Sequence, residues 1–434
     1  MGRAMKDSGV EWIGEIPEDW RLMRLCYVTK NIFLGRTPVY SEQDNENYIV
    51  GQKNNQSYGI DFGGIKYGEE EFYLSRGEEE FLKKGDVILN TLGGGSVGRI
   101  GYWNVDDNNR YLTDGHLMVI RPNEKCNNRY LYYDMVSQQK KLEDDSVGST
   151  NQSFLTVTQV YKNLIAFPPL SEQTRIANYL DTQCAHIDTV FEKTKASIEE
   201  YKKLKQAVIT HAVTKGVRGE RKMKDSGIEW IGEIPEEWEV RRIKTLFTLR
   251  DEKNYLPLEK VNLISLYTDL GVVQHSDLEK TSGNKASNAD GYKLVKKNDI
   301  VVNIILCWMG AIGRSEYDGV TSPAYDIYIP SERLVDSRFY HHYFRTTGFS
   351  GDCFKRGRGI MLMRWRTYSD QFRDIPVVYP SLKEQVEIIE YLDNKIPEID
   401  NLIAKKEGFL TELESYKKSL IYEYVTGKKE VPQS

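Results

Sequence analysis

No apolar run in the chain approaches the roughly 18 residues that a membrane-spanning helix needs, and no signal-peptide pattern is visible. Gly2 lacks the Ser or Thr at position 6 that a myristoylation signal uses; Lys6 stands there. Residues 1–4 read as a leader of no structural meaning. Cysteine is sparse. Cys26, Cys126, Cys184, Cys307 and Cys353 form no CxxC pair, which argues against a disulfide framework or a zinc site and fits a reducing, cytoplasmic setting. Positive charge is not in excess: the formal net charge is -5 over 434 residues. That removes a global nucleic-acid signal but leaves room for a local basic face. The histidines, at 116, 186, 211, 275, 341 and 342, show no metal spacing, and His341-His342 reads as a helix surface pair.

Catalytic motifs are also missing. There is no Asn-Pro-Pro-aromatic stretch of the kind that methylates bases. Gly93-Gly94-Gly95-Ser96-Val97-Gly98 matches GxGxxG, but Arg99-Ile100-Gly101-Tyr102 continues as strand, so no helix N-terminus faces a pyrophosphate. Arg99-Ile100 also replaces the Lys-Ser/Thr of a P-loop, and a glycine-rich hairpin is expected instead. Glu172 and Glu384 start equivalent helices, where acids favour the dipole, so capping is expected of them. Asp86 and Asp299 read as turn residues. No catalytic constellation emerges.

What the chain does have, it has twice. Met5-Lys6-Asp7-Ser8-Gly9-Val10-Glu11-Trp12-Ile13-Gly14-Glu15-Ile16-Pro17-Glu18-Asp19-Trp20 returns from Met223 to Trp238 with only Val/Ile and Asp/Glu exchanges. A second repeat follows at a constant offset of 212, pairing Leu170/Leu382, Glu172/Glu384, Gln173/Gln385, Asp181/Asp393, Asp188/Asp400 and Val213/Val425. The protein is two homologous halves in tandem. Between the repeats lie short apolar runs punctuated by Gly, Asn and Asp, such as Asp86–Asn90 and His116–Ile120, the signature of strands and turns. Lys84–Asn90 echoes Lys297–Asn303, and Val97-Gly98-Arg99 echoes Ile312-Gly313-Arg314.

The segment from Leu170 to about Lys215 lacks Pro and Gly, and its apolar residues recur every three or four positions, which predicts an amphipathic helix with a coiled-coil-like seam. Asp181-Thr182 resembles a cap, so a short helix followed by a long one of about 30 residues, roughly 45 Å, is expected. Pro397, opposite Ala185 in the other copy, fits the same division if a helix starts near Asn394. The fold class is α+β: two β-rich globular domains separated by two long antiparallel helices, in a pseudo-two-fold tandem repeat. The expected boundaries are a first globular domain with its opening repeat at 5–169, a helical region at 170–216, a linker at 217–222, a second domain at 223–381 and a second helical region at 382–428. Readers about 45 Å apart would match a little over one turn of B-DNA.

The strongest nucleic-acid signal is Phe354 to Arg366, which holds Lys355, Arg356, Arg358, Arg364 and Arg366 with two aromatics and two glycines. Guanidinium groups suit phosphates and guanine edges, and glycines let backbone approach DNA. The matching stretch of the first half, Gly148 to Ser153, is uncharged but offers Ser149, Thr150, Asn151 and Gln152 as donors. Gln52, Lys53, Asn54, Asn55 and Gln56 follow a strand and carry amides of the kind that read adenine edges. In each case a plain solvated loop is the competing reading.

The doubled Ser-Gly-Ile/Val-Glu-Trp-Ile-Gly-Glu-Ile-Pro-Glu-x-Trp, and the doubled Pro-Pro/Ser-Leu-Ser/Lys-Glu-Gln…Ile-x-x-Tyr-Leu-Asp…Ile-Asp segments ending in Ala-Val-Thr-Lys-Gly and Tyr-Val-Thr-Gly-Lys, resemble the specificity subunit of type I restriction-modification enzymes. The resemblance covers nearly the whole chain. It implies two target-recognition domains, each reading one half of a bipartite asymmetric site in double-stranded DNA, with helix length setting the unread gap. It implies a subunit without catalysis of its own and without a bound cofactor. Its partners would be two modification subunits that methylate adenine with S-adenosylmethionine and, in the full complex, two restriction subunits that use ATP and Mg. The competing classes are a nuclease or methyltransferase in its own right and a helical scaffold that never touches DNA.

Overall fold

A computed structural model of the chain describes residues 3–56, 59–148, 153–268, 270–275, 288–359 and 365–432. It divides into two units: Met1–Thr194 with Gly408–Ser434, and Lys195–Glu407. We call them unit 1 and unit 2.

In unit 1, β1 (Thr29–Leu34), β2 (Tyr48–Val50), β3 (Val87–Asn90), β4 (Ile100–Tyr102), β5 (Tyr111–Thr113) and β6 (Leu117–Pro122) build two sheets. The main sheet has the order β4-β3-β6-β1, all antiparallel. Its central strand β3 is buried at all four residues. Val87 and Leu89 join a core with Leu131 and Met135 of the helix Asn128–Ser137, while Ile88 joins another with Trp103 and Tyr111. A strand covered on both faces reads as an unbroken apolar run, which is why Val87-Ile88-Leu89 shows no alternation. β5 pairs parallel with β2 in the second sheet.

Unit 2 repeats the plan. β7 (Phe247–Leu249), β8 (Ile264–Tyr267), β9 (Ile300–Asn303), β10 (Ile312–Arg314), β11 (Gly319–Thr321) and β12 (Tyr325–Pro330) include a main sheet of order β7-β12-β9-β10. The register corrects one sequence echo. Ile100 opposes Leu89 and Ile312 opposes Val302, so Ile100-Gly101-Tyr102 is the structural counterpart of Ile312-Gly313-Arg314, and Val97-Gly98-Arg99 is not.

The segment Leu170–Lys215 is one helix of 46 residues, and Leu382–Val425 is another of 44. Neither divides, contrary to expectation. Asp181 does not cap a new helix; it is taken by Arg129 (Nε–Oδ1 2.7 Å) and by the Tyr133 hydroxyl (2.7 Å). Thr182 donates to the Asn178 carbonyl one turn back, a bond available only inside a helix. Pro397 lies within the second helix, not in a first turn. At 1.5 Å per residue, 46 residues rise roughly 69 Å, well beyond the expected 45 Å.

The two helices pair antiparallel in each unit. In unit 1, Tyr179 packs on Tyr424 (4.6 Å) and Lys417 binds Asp188 (2.6 Å). In unit 2, Lys406 lies over Tyr201 (5.6 Å) and Lys205 binds Asp400 (2.7 Å). The two ion pairs are the same two repeat positions with the helices exchanged.

Each opening repeat is a short hairpin, Met5–Asp7 with Glu15–Pro17 and Met223–Asp225 with Glu233–Pro235. Gly9 and Gly227 sit at φ 71° and 69°, where an L side chain is strained, and the Asp7 and Asp225 carboxylates accept their N–H groups (2.9 Å each). Each hairpin seats the end of a long helix on a fully buried tryptophan. Trp20 shares a core with Leu420, Ile421 and Val425, and Trp238 shares one with Ala212 and Val213. These contacts account for the near-identity of the copies, since both repeats build the same joint.

Arg3 and Ala4 belong to that joint, contrary to the reading of residues 1–4 as a leader; Met1 and Gly2 lie outside the described residues. Arg3 donates to Glu172 (2.5 Å) and Asp19 (2.6 Å), and Arg221 donates to Glu384 (2.6 Å) and Glu237 (2.9 Å) in the same geometry. Glu172 also accepts the Trp20 indole N–H (3.0 Å). Thus the helix-start acids clamp the opening repeats. Replacing Arg3 with Ala leaves the Glu172 carboxylate short of its cation and is expected to cost unit 1 about 1–3 kcal/mol. Urea unfolding should show an earlier midpoint for the Trp20 region, with Arg221→Ala acting on unit 2 instead.

Gln173 and Gln385 explain another repeat identity. Both are fully buried. Gln173 accepts the Asn127 N–H and donates to the Pro168 carbonyl; Gln385 accepts the Asp336 N–H and donates to the Pro380 carbonyl (2.8–2.9 Å). Each ties the start of a long helix to the N-cap of the helix that backs the sheet.

Asp86 and Asp299 do more than turn the chain. Asp86 forms a buried, two-pronged ion pair with Arg121 (2.8 and 2.7 Å), and Asp299 forms one with Arg250 (2.8 and 3.0 Å). Arg121 comes from β6, whereas Arg250 directly follows β7.

Candidate nucleic-acid interface

Those of the sequence-predicted residues that the structure describes lie at one end of the main sheet in each unit. In unit 1 this end collects the loop after β2, the β3–β4 turn, the β5–β6 loop and a hairpin closed by the Val147–Phe154 bridge. Gly93 N–H donates to Ser153 O (3.2 Å), Leu155 N–H to Thr91 O (2.9 Å) and Thr91 N–H to His116 O (3.0 Å), so these loops are fastened together. In unit 2 the counterpart hairpin is closed by Arg358 and Arg366, and Thr367 N–H donates to Ile304 O (2.9 Å). The residues that flank the two segments, Val147 and Phe154 in unit 1 and Arg358 and Arg366 in unit 2, therefore correspond.

The basic hairpin begins at the end of the helix Thr347–Arg356. Arg356 and Arg358 are exposed; Arg366 is half-buried. Arg358 lies over Tyr368 (5.2 Å) and 3.5 Å from Asp370. Lys355 is engaged with Glu229 of the opening repeat (2.6 Å), an exposed pair that an incoming phosphate can replace at little cost. Arg364 lies outside the described residues. The aromatics and one glycine serve the fold rather than an incoming base. Trp365 stacks on Phe354 (5.1 Å, 26°) and donates to its carbonyl (3.1 Å), and a Cβ on Gly357 would strike the Trp365 indole.

In unit 1 the five-residue amide run divides. Asn54 and Asn55 are buried and committed to internal bonds. Asn54 accepts the Gly51 N–H (2.9 Å) and donates to Asp61 O (2.8 Å); Asn55 donates to the Asn90 side chain (2.8 Å). In this structure they hold the turn and do not face outward, which corrects their reading as base-facing amides. Lys53 is exposed, and Gln52 and Gln56 are half-buried. The Gln52 amide oxygen has no partner among the described residues. Gln56 accepts from Arg99 (3.2 Å), a cation at this surface that the sequence reading did not single out. His116 is exposed on the β5–β6 loop of the same end. Ser149, Thr150, Asn151 and Gln152 lie outside the described residues.

The glycine-rich segment is a turn between antiparallel β3 and β4, with Gly93, Gly95 and Gly98 at positive φ, and no helix follows it. His341 and His342 sit on the helix Ser337–Phe344 but are half-buried, not a surface pair. Burial pushes them down to about 3 and about 4, so both imidazoles are neutral at pH 7. Among the described residues no helix is long and apolar enough to cross a membrane.

The family model for the type I restriction modification DNA specificity domain matches residues 17–200 and again 235–412. The chain belongs to the type I specificity family. Two matches in one chain correspond to the two copies of the sheet and helix plan. Among curated relatives of this specificity chain, the MjaVIII specificity subunit of Methanocaldococcus jannaschii is 21% identical over 95% of this chain and 93% of its own length. The putative MjaX specificity subunit of the same organism is 28% identical over 52% of each chain. The EcoDI specificity subunit of Escherichia coli is 24% identical over 69% of each. The fold is shared with a chain from a study of complex assembly and conformational transition of the type I R-M system (TM-score 0.69, 16% identity, 95% of this chain and 99% of that one). It is also shared with the HsdS subunit of Thermoanaerobacter tengcongensis (TM-score 0.54, 16% identity, 95% and 98%).

Proposed function

We propose that this specificity subunit directs a type I restriction-modification complex to a bipartite, asymmetric DNA site, with each unit reading one half. The observation that carries this reading is the pair of matched hairpins at the same sheet end: Arg358–Arg366 in unit 2 and Val147–Phe154 in unit 1. One plan carries two arginines at the hairpin neck in one half and the uncharged Val147 and Phe154 in the other, as expected of two readers with different targets. Residues 5–169 and 223–381 serve as the recognition domains; 170–216 and 382–428 set the spacer and, with the opening repeats, dock two modification subunits. The chain contributes no catalytic residues. S-adenosylmethionine, ATP and Mg act on the modification and restriction subunits.

Exchanging residues 239–380 for the matching segment of another family member is expected to change one half of the methylated motif and leave the other unaltered. A change in both halves would contradict independent readers. Removing four residues from both long helices takes out about 6 Å of rise. The recognised gap should then shorten by about two base pairs, at roughly 3.4 Å each. A gap of unchanged length would remove the ruler. A scaffold that holds proteins without touching DNA is indifferent to both changes.

A further inference from the structure

The two units differ where the helix behind the sheet faces the long helices. Counting five residues on from the N-caps that Gln173 and Gln385 hold, unit 1 has Tyr132-Tyr133 and unit 2 has His341-His342. In unit 1 the position is filled. Tyr132 packs on Tyr102 (5.7 Å) and Tyr133 (5.1 Å), and Arg129 lies over Tyr102 and Tyr132 (4.5 and 4.9 Å). In unit 2 the smaller imidazoles border a cleft of about 700 Å³.

The walls of that cleft are rich in donors. Arg345 is pinned by the Ile312 and Thr268 carbonyls (3.1 and 2.8 Å), so its charge is fixed in place. Lys205 supplies a second cation, shared with Asp400. Thr347 opens the ten-residue helix Thr347–Arg356, and Ser350 follows one turn later, so this helix N-terminus borders the same space. His341 Nδ1 accepts the Arg314 N–H (3.1 Å), which places its proton on Nε2 as a further donor. The Trp308 ring forms part of the wall. No carboxylate lines the cleft among the described residues.

We propose that this cleft of unit 2 binds a phosphate group. Oriented cations, hydroxyls and a helix N-terminus around one empty space match a tetrahedral oxyanion. The phosphate comes from a DNA backbone or from a free phosphate compound; only the first source rests on the DNA-reading function. A backbone phosphate held here would position unit 2 on the duplex without reading a base.

The test uses the full chain labelled with ¹⁵N-histidine, its resonances assigned with His341→Gln and His342→Gln. Inorganic phosphate and a duplex carrying the methylated motif are titrated separately, with duplex binding scored in parallel by gel shift. The His341 and His342 imidazoles are expected to shift saturably with at least one of the two. Ser350→Asp, which places a like charge in the cleft, should weaken that response by about tenfold or more. A response to duplex alone identifies the backbone as the source, and a response to inorganic phosphate identifies a free one. If neither ligand moves the imidazoles although the gel shift shows the duplex bound, the cleft proposal is overturned and DNA reading stands. If phosphate moves them and no duplex binds, the cleft stands and DNA reading by this chain is lost.

Discussion

Reversing charge at Arg356, Arg358 and Arg366 together is expected to lower DNA affinity by roughly a thousand-fold near physiological salt, and to reduce the slope of log affinity against log salt by about three. The three side chains flank one hairpin neck, and two of them are exposed. Each lost phosphate contact removes about one unit of counterion release, and each new carboxylate adds repulsion. Stability should change little, because these arginines make at most exposed pairs. Gel shifts across a salt series with the methyltransferase complex measure both quantities. Unaltered affinity and slope in a folded triple variant would move the weight to the scaffold reading.

Asp86→Ala has the largest expected effect on folding. It leaves Arg121 buried beside the Glu79 and Phe81 carbonyls (2.9 and 2.7 Å) without its carboxylate. Breaking a buried pair from one side costs about 3–5 kcal/mol, which approaches the whole stability of many domains. Removing both partners in Asp86→Ala/Arg121→Met should restore much of the loss, since no buried charge remains unpaired. Urea unfolding of the single and double variants gives the coupling directly. A single variant as stable as the parent would show that water reaches Arg121.

The architecture was legible because its signals are local. The tandem repeat, the amphipathic period of Leu170–Lys215 and the strand-and-turn punctuation each lie within one stretch of chain. What escaped the sequence depends on partners far along the chain. Asp181-Thr182 has the composition of a cap, but Arg129 and Tyr133 satisfy Asp181 from the neighbouring helix, so the long helix runs on. Asp86 and Asp299 look alike in sequence, yet their arginines arrive from different strands, and no alignment of the halves brings Arg121 onto Arg250. Arg3 fell outside the recognised repeat although it stands two residues before Met5, as Arg221 stands before Met223.

Within the candidate interface, the basic segment and its uncharged counterpart were found by composition and position. The roles of individual amides were not, because a run of Gln, Lys and Asn does not reveal which members turn inward. Asn54 and Asn55 hold the turn, while Lys53 remains exposed. Arg99 and His116 reach the same surface from β-turn positions that carried no distinguishing pattern. The exchange of Tyr132-Tyr133 for His341-His342 was visible as letters, but its consequence appears only once both helices are placed against the long helices.

Single-molecule sequencing of N6-methyladenine, in DNA from cells expressing this chain with its modification subunit, tests the central claim most directly. The expected result is a bipartite methylated motif that disappears when this chain is omitted. An assembled complex that methylates no such motif would contradict the assignment of DNA reading to these two units.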